Sequence, residues 1–405
     1  MAGRMRKNRL GDADYPLLVT ATALVLFGLI AIWATSIADA IRETEGVAPL
    51  FFVMAQLKWL GIGIIAAAAA YAVGYRFLAR ISIILMVAAL LLLIAVFIFG
   101  KSDYGSARRI ILFGLSVQPS EIAKPIMVIY LACWLSSKGD KINDTDSGLI
   151  PFLILVGIYV ALILLQPNLS TAIILAAVAL IMFLMAGANL KRVGTVMAGG
   201  FGLALALALA VEYQRERIVG FLFGGDSRSA EQHELVKKLT QSAGIFGHGL
   251  EDMQLQTQLA PGAHKDFIFA YTTYGFGIFT ALLLVAGFLY LGYRTVRIAR
   301  QAPDDLGTLI GAGIGCWLLL QAFIHIGVNV GALPITGMTL PFISYGGSSL
   351  LACMIGVGIL LSISKDAGRR ETRKSAAYSY GGRNGRPRVS GSHRSAGDSR
   401  TRARR

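Results

Sequence analysis

The sequence predicts an all-α integral membrane protein of about ten transmembrane helices with one large extracytoplasmic loop. Three observations predict it. Hydrophobic residues make up 55% of the 405 residues and charged residues only 15%, where a soluble domain carries about 25% charged residues. The apolar residues gather into runs of roughly 20, the length that crosses a hydrocarbon core. Alternate short connections between the runs carry the Lys and Arg, as the positive-inside rule requires of cytoplasmic loops.

In order, the expected spans are residues 15–37, 50–73, 81–99, 119–136, 149–166, 168–187, 193–212, 267–292, 307–330 and 340–363. The first lacks a small-residue cleavage site and reads as a membrane helix rather than a removed signal peptide. Only Gln166, Pro167 and Asn168 separate the fifth from the sixth; a proline among polar residues favours a tight hairpin there. With the 1–14 segment inside, GYRFLAR (Arg76, Arg80), GANLKRV (Lys191, Arg192) and GYRTVRIAR (Arg294, Arg297, Arg300) all face the cytoplasm. Residues 15–365 thus form one polytopic domain, with 213–266 as its large outer loop and 366–405 as a basic cytoplasmic tail. The tail holds twelve Lys/Arg against three Asp/Glu, +9 of the total of +15. Its Ser/Gly-rich composition predicts disorder. Attraction to the anionic bilayer surface and a topological role suit it better than binding nucleic acid, so no nucleic-acid partner is expected. Cys133, Cys316 and Cys353 all sit in apolar runs, without metal-ligand spacing or a disulfide framework.

Three stretches carry chemistry. In QPSEIAK, Gln118-Pro119-Ser120-Glu121 reads as a helix start, with Pro119 where a missing N–H costs little and Glu121 near the positive end of the dipole. Such an end attracts phosphate. Glu121 and Lys124 share one helix face; ionisable residues at this depth read as functional, with a packing ion pair as the alternative. Arg108, in the preceding connection, has the planar fork that binds phosphate, or snorkels at the interface. In PGAHKDFIFA, Asp266 stands where the long loop enters an apolar run. Desolvation there raises a carboxylate's proton affinity, as suits a general base, while Lys265 opposes the rise. Helix capping is the competing role. The long loop also contains GIFGHGL, whose Gly244, Gly247 and Gly249 permit tight turns in an ordered cap. In LPITGMTLPFISYGGSS, prolines and glycines predict broken or close-packed helix at membrane depth, tolerated only where it is buried or lines a wet cavity. Ser344, Tyr345, Ser348 and Ser349 are candidates to line that cavity, and Gln321 and His325, four apart, to hydrogen-bond between helices.

QPSEIAK, the Gln166-Pro167 hairpin, YQRERI at 213–218, GIFGHGL, HKDFIF at 264–269 and LPITGMTLPFISYGGSS occur in the order seen in the SEDS family (shape, elongation, division and sporulation; RodA- and FtsW-like proteins). The resemblance spans roughly residues 15–365. It implies a ten-helix polymerase that joins lipid II units at the outer membrane face, with a class B penicillin-binding protein as partner. It implies Asp266 as the catalytic residue and places Arg108, Glu121 and Lys124 along the central cavity; Gln118, Ser120, Gln214, His264, Ser344 and Ser348 complete the expected substrate-binding set. The chain departs from the family pattern at Arg109 (commonly Trp), Asn168 and Ser170 (Asp and Gly), Gly262 (Glu), Lys265 (Thr or Ser), Tyr274 and Gly275 (a Glu pair) and His325 (Asn).

The expected function is therefore a peptidoglycan glycosyltransferase in the bacterial cytoplasmic membrane, with both termini cytoplasmic. A lipid II transporter and a weakly active scaffold for the transpeptidase are the alternatives. Discontinuous helices suit transport too, but the informative polar residues cluster toward one face. A divalent cation is a possible cofactor whose ligands the sequence does not identify.

Overall fold

In hydrocarbon a chain must satisfy its own peptide groups, so apolar runs become helices. The computed structural model describes residues 13–44, 48–103, 106–112, 114–166, 168–224, 228–257 and 262–381. Most of the 1–14 segment, Pro167 of the expected hairpin and the tail beyond Gly381 lie outside them.

The chain begins with α1 (Tyr15–Glu43), α2 (Phe51–Val73), a short α3 (Tyr75–Arg80) and α4 (Ser82–Phe99). A three-stranded antiparallel sheet follows, of β1 (Lys101–Asp103), β2 (Ser106–Leu112) and β3 (Leu115–Val117), with β2 in the middle. Then come α5 (Pro119–Ser136), α6 (Ile150–Leu165), α7 (Leu169–Met185) and α8 (Leu190–Ala210). Three cap helices, α9 (Glu212–Phe223), α10 (Arg228–Ser242) and α11 (Leu250–Thr257), precede α12 (Ile268–Gln301), α13 (Asp305–Asn329) and α14 (Gly347–Gly381).

Seven of the described helices are long and apolar enough to cross a membrane: α1, α2, α4, the run Thr145–Leu165 ending in α6, α12, α13 and the Gly347–Gly368 part of α14. α5, α7 and α8 occupy the other three expected spans, so the all-helical membrane fold stands. The connection at 100–118 differs from a plain loop: Ile110, Ile111 and Leu112 pair with Val117, Ser116 and Leu115 in a hairpin. β-branched residues either side of Gly114 favour that ladder. The expected large loop holds three helices, as an ordered cap should. The expected tail begins too early, because α14 runs on past residue 366. There Asp366 meets Arg76 at 3.0 Å and Lys365 lies over the Tyr71 ring.

α2 and α14 pack with little between their backbones. A Cβ on Gly358 would overlap the Ala67 carbonyl, and one on Gly347 would overlap the Trp59 ring. α13 packs against α5, α7 and α14, with Ile314, Trp317 and Leu318 buried. Helix α12 is broken at Gly277, whose φ of 88° and ψ of 169° are open to glycine and costly for any other residue. The turn at 244–249 repairs the break. His248 and Gly249 N–H groups donate to the Tyr274 and Gly275 carbonyls, and the Ile278 and Phe279 N–H groups donate to the Gly244 and Ile245 carbonyls.

Gly358→Ala forces the α2–α14 seam apart and is expected to destabilise the protein by about 1–3 kcal/mol, as overpacking does. Gly157→Ala, on an α6 site with open space around it, leaves the thermal midpoint in detergent unchanged, and comparing the two midpoints checks the seam.

Candidate functional site

The loop from Gly262 to Phe267 enters the membrane domain between α1, α13 and the segment before α14. Asp266 is partly exposed on it. The N-cap of α12 is Phe267, with no side-chain capping bond, so Asp266 does not cap the helix. Among the described residues, no group hydrogen-bonds its carboxylate. Its backbone, by contrast, is held. Asn329, fully buried at the end of α13, donates from Nδ2 to the carbonyls of Asp266 (3.1 Å) and His325 (2.9 Å) and accepts the Ala270 N–H at 3.1 Å. From α1, Asp39 accepts the Gly262 N–H at 2.9 Å. The Tyr345 N–H donates to the His264 carbonyl at 3.0 Å.

Burial raises the proton affinity of the Asp266 carboxyl above the usual carboxylate range; Arg217, Lys265, Arg109 and His264 pull it back. These groups come from α9, β2 and the loop itself. Burial also holds the His264 imidazole below its ordinary value, against the opposing pull of Asp39. His264 Nδ1 lies 3.1 Å from Asp39 Oδ2. The imidazole stacks on Phe52 at 4.2 Å. Lys265 Nζ lies 5.8 Å and 5.7 Å from the Phe52 and Tyr345 ring centres.

A second polar cluster stands at the start of α5. Pro119 occupies the first turn after Gln118. Lys124, 3% exposed, donates to Glu121 Oε1 at 2.8 Å and to Gln321 Oε1 at 2.7 Å. Trp317 Nε1 donates to the same Gln321 oxygen, and Gln321 Nε2 donates to the Thr339 carbonyl at 2.9 Å. The pair therefore has the additional hydrogen bonds that a buried ion pair needs. Glu121 Oε2 is buried without a partner. Among the described residues no three His, Cys, Asp or Glu side chains converge as metal ligands.

Several expected substrate ligands also make hydrogen bonds within the protein. Ser348 Oγ accepts the Gln118 N–H at 2.9 Å, and Ser344 Oγ accepts the Leu340 N–H at 2.8 Å. Ser120 Oγ accepts from Gln118 Nε2 and Asn168 Nδ2, both at 3.2 Å. These residues build the walls of the site. Arg108 donates from Nε to the Gln166 carbonyl at 3.2 Å, which ties β2 to the α6–α7 hairpin. The side chain of Gln214 lies outside the described residues. Sequence reasoning missed Asn329, Asp39 and Arg217. The available signal was an acid or amide in the last turn of an apolar helix; Asn329 also extends the Gln321–His325 spacing by one more turn.

The family model described as a cell cycle protein, covering FtsW, RodA and SpoVE, matches residues 15–369. A probable peptidoglycan glycosyltransferase FtsW of Geobacter metallireducens is 32% identical over 355 residues, 87% of this chain and 94% of that protein. The stage V sporulation protein E of Bacillus subtilis is 34% identical over 360 residues, 87% of this chain and 97% of its own. A solved chain described under structural coordination of polymerization and crosslinking by a peptidoglycan synthase complex is 26% identical, with a TM-score of 0.72 over 88% of this chain and 98% of that one. The rod shape determining protein RodA of Thermus thermophilus shares the fold at 24% identity, with a TM-score of 0.66 over 89% and 98% of the two chains.

Asn329→Ala strands the Ala270 N–H and the Asp266 carbonyl, and a buried unsatisfied group costs about 1–3 kcal/mol. A lower thermal midpoint and faster hydrogen exchange at the start of α12 are expected, read by mass spectrometry on the purified variant.

Proposed function

We propose that this chain, which belongs to the FtsW/RodA/SpoVE (SEDS) family, is a peptidoglycan glycosyltransferase that polymerises lipid II into glycan strands. The observation that carries the reading is Asp266: a partly exposed carboxylate without a hydrogen-bond partner among the described residues, on a loop whose backbone is pinned. Such a group is free to accept a substrate proton without first breaking a protein contact.

The acceptor's 4-hydroxyl gives its proton to Asp266 as its oxygen attacks the anomeric carbon of the donor. The new C–O bond forms as the bond from that carbon to the pyrophosphate breaks, and undecaprenyl pyrophosphate leaves with the bonding pair. Arg217, Arg109 and Lys265, which face Asp266, favour the negative charge that gathers on the leaving group. Glu121 orients Lys124 at the helix start, where the dipole adds to the attraction for phosphate.

The small space beyond Lys124, about 10 Å³, is lined by apolar side chains such as Met127, Leu131, Leu175 and Trp317, which favours polymerisation over transport. A class B penicillin-binding protein is the proposed partner, because the similar solved chain is described in a complex that couples polymerization to crosslinking.

The protein is a multi-pass bacterial membrane protein, and both termini are proposed to be cytoplasmic, with the 213–266 cap outside. Membrane-impermeant thiol reagent added to intact cells is expected to label cysteine at position 234, on the exposed face of α10, and to spare cysteine at position 140. The opposite pattern rejects the orientation.

Asp266→Asn keeps the shape and removes the proton acceptor. A positioned base contributes about 100- to 10,000-fold in rate, so glycan synthesis from labelled lipid II is expected to fall that far with normal expression. Synthesis above about a tenth of the parent rate removes Asp266 from the role of base.

A further inference from the structure

The cap carries an apolar tip that the proposed reaction does not use. At the apex of the 244–249 turn Ile245 is 67% exposed and Phe246 is 84% exposed. The tip carries no charge. His248 is turned away, its ring stacked on Tyr274 at 4.3 Å and 9°, and Tyr274 donates its hydroxyl to Asp252 at 2.7 Å. Large side chains at such exposure normally retreat into a flexible loop's own core, but this turn cannot move. The backbone bonds that repair the Gly277 break fix it to α12, and a Cβ on Gly247 would overlap the Gly275 carbonyl.

The clamp also sets the height of the tip relative to the bilayer. At the opposite end of α12, Tyr290 and Tyr293 are exposed, directly before the Arg294, Arg297 and Arg300 cluster. Exposed tyrosines next to cations mark a membrane interface. A hydrocarbon core of about 30 Å at 1.5 Å per residue spans roughly 20 residues. The unbroken helix from Tyr293 back to Ile278, just past the Gly277 break, rises about 22 Å at 1.5 Å per residue, so the turn clamped at Ile278 and Phe279 lies within one hydrocarbon thickness of the tyrosines. From that level inward Ile278, Phe279, Leu282 and Leu283 face outward from α12, so the tip continues a lipid-facing surface.

We propose that Ile245 and Phe246 insert into the lipid at the outer boundary of the hydrocarbon, making the cap a membrane-anchored element rather than a domain standing clear of the bilayer. The anchor goes beyond the proposed chemistry and does not depend on it. It has a consequence for the site: α12 carries both the clamp and, two residues before its start, Asp266. The lipid surface thereby sets the height of the carboxylate.

The test places one nitroxide at position 246 of the full chain in lipid nanodiscs, with Cys133, Cys316 and Cys353 replaced by alanine. Labels at position 282, on the lipid-facing side of α12, and position 234, on the solvent-facing side of the cap, are the references, and a lipid-like value at 282 reports a folded chain. Accessibility to oxygen relative to a water-soluble nickel chelate is expected to be several-fold higher at 246 than at 234 and to track 282. A ratio at 246 equal to that at 234 overturns the anchor. Shielding from both reagents, meaning that protein covers the tip, overturns it as well.

Discussion

The structure depends on the rule that a peptide group inside a bilayer must find a partner within the protein. An unsatisfied group there costs several kcal/mol, so every break in a helix has to be answered by something else. Two breaks define the cap end of this molecule. At Gly277 the answer is backbone: the 244–249 turn replaces the lost helical bonds. Across 330–346 the answer is side chain. Gln321 Nε2 donates to the Thr339 carbonyl, His325 Nδ1 meets the Met338 carbonyl at 2.7 Å, Ser170 donates to the Thr336 carbonyl, and Gln56 bonds both the Ser344 carbonyl and the Gly346 N–H. These polar residues of the interior are there first to satisfy irregular backbone.

The division of labour within the site follows from it. Serines at 120, 344 and 348 accept hydrogen bonds that join neighbouring segments. Asn329 looks like an ordinary helix end and fixes the backbone of Asp266. Among the described residues of the site, the groups left without a hydrogen bond are the carboxylate of Asp266, Oε2 of Glu121, the ring nitrogens of His264, Nε2 of His325 and Oε1 of Gln166. A base has to be held still without being occupied, and pinning the main chain while leaving the side chain unbonded achieves both. Three basic side chains around Asp266 keep its proton affinity from rising as far as burial alone would take it.

The spans were legible because hydrocarbon imposes one length and one polarity, and α5 follows its expected limits, 119–136. The helix start at Gln118-Pro119 and the buried Glu121–Lys124 pair were equally legible, because proline position and three-residue spacing act locally. The hairpin at 101–117 was not, since three- to seven-residue strands between spans have little periodicity to read. The Gly277 break was hidden for a different reason: its partner lies some 30 residues away in the cap, and a lone glycine in an apolar run usually signals close packing. The capping alternative for Asp266 stood open until the position of Phe267 decided against it, because one residue of helix boundary lies below the resolution of pattern reasoning.

The proposed titrating group of the reaction is the Asp266 carboxylate, with its proton affinity raised by burial and restrained by neighbouring cations, Lys265 among them. The acid limb of the pH–rate profile for lipid II polymerisation reads it directly, in the parent and in Lys265→Met. A base works only when deprotonated, and removing a neighbouring positive charge raises its proton affinity. The limb is therefore predicted to move to higher pH in the variant, with the plateau rate at high pH less affected than the limb. A limb that stays where it was, or moves to lower pH, would contradict the assignment.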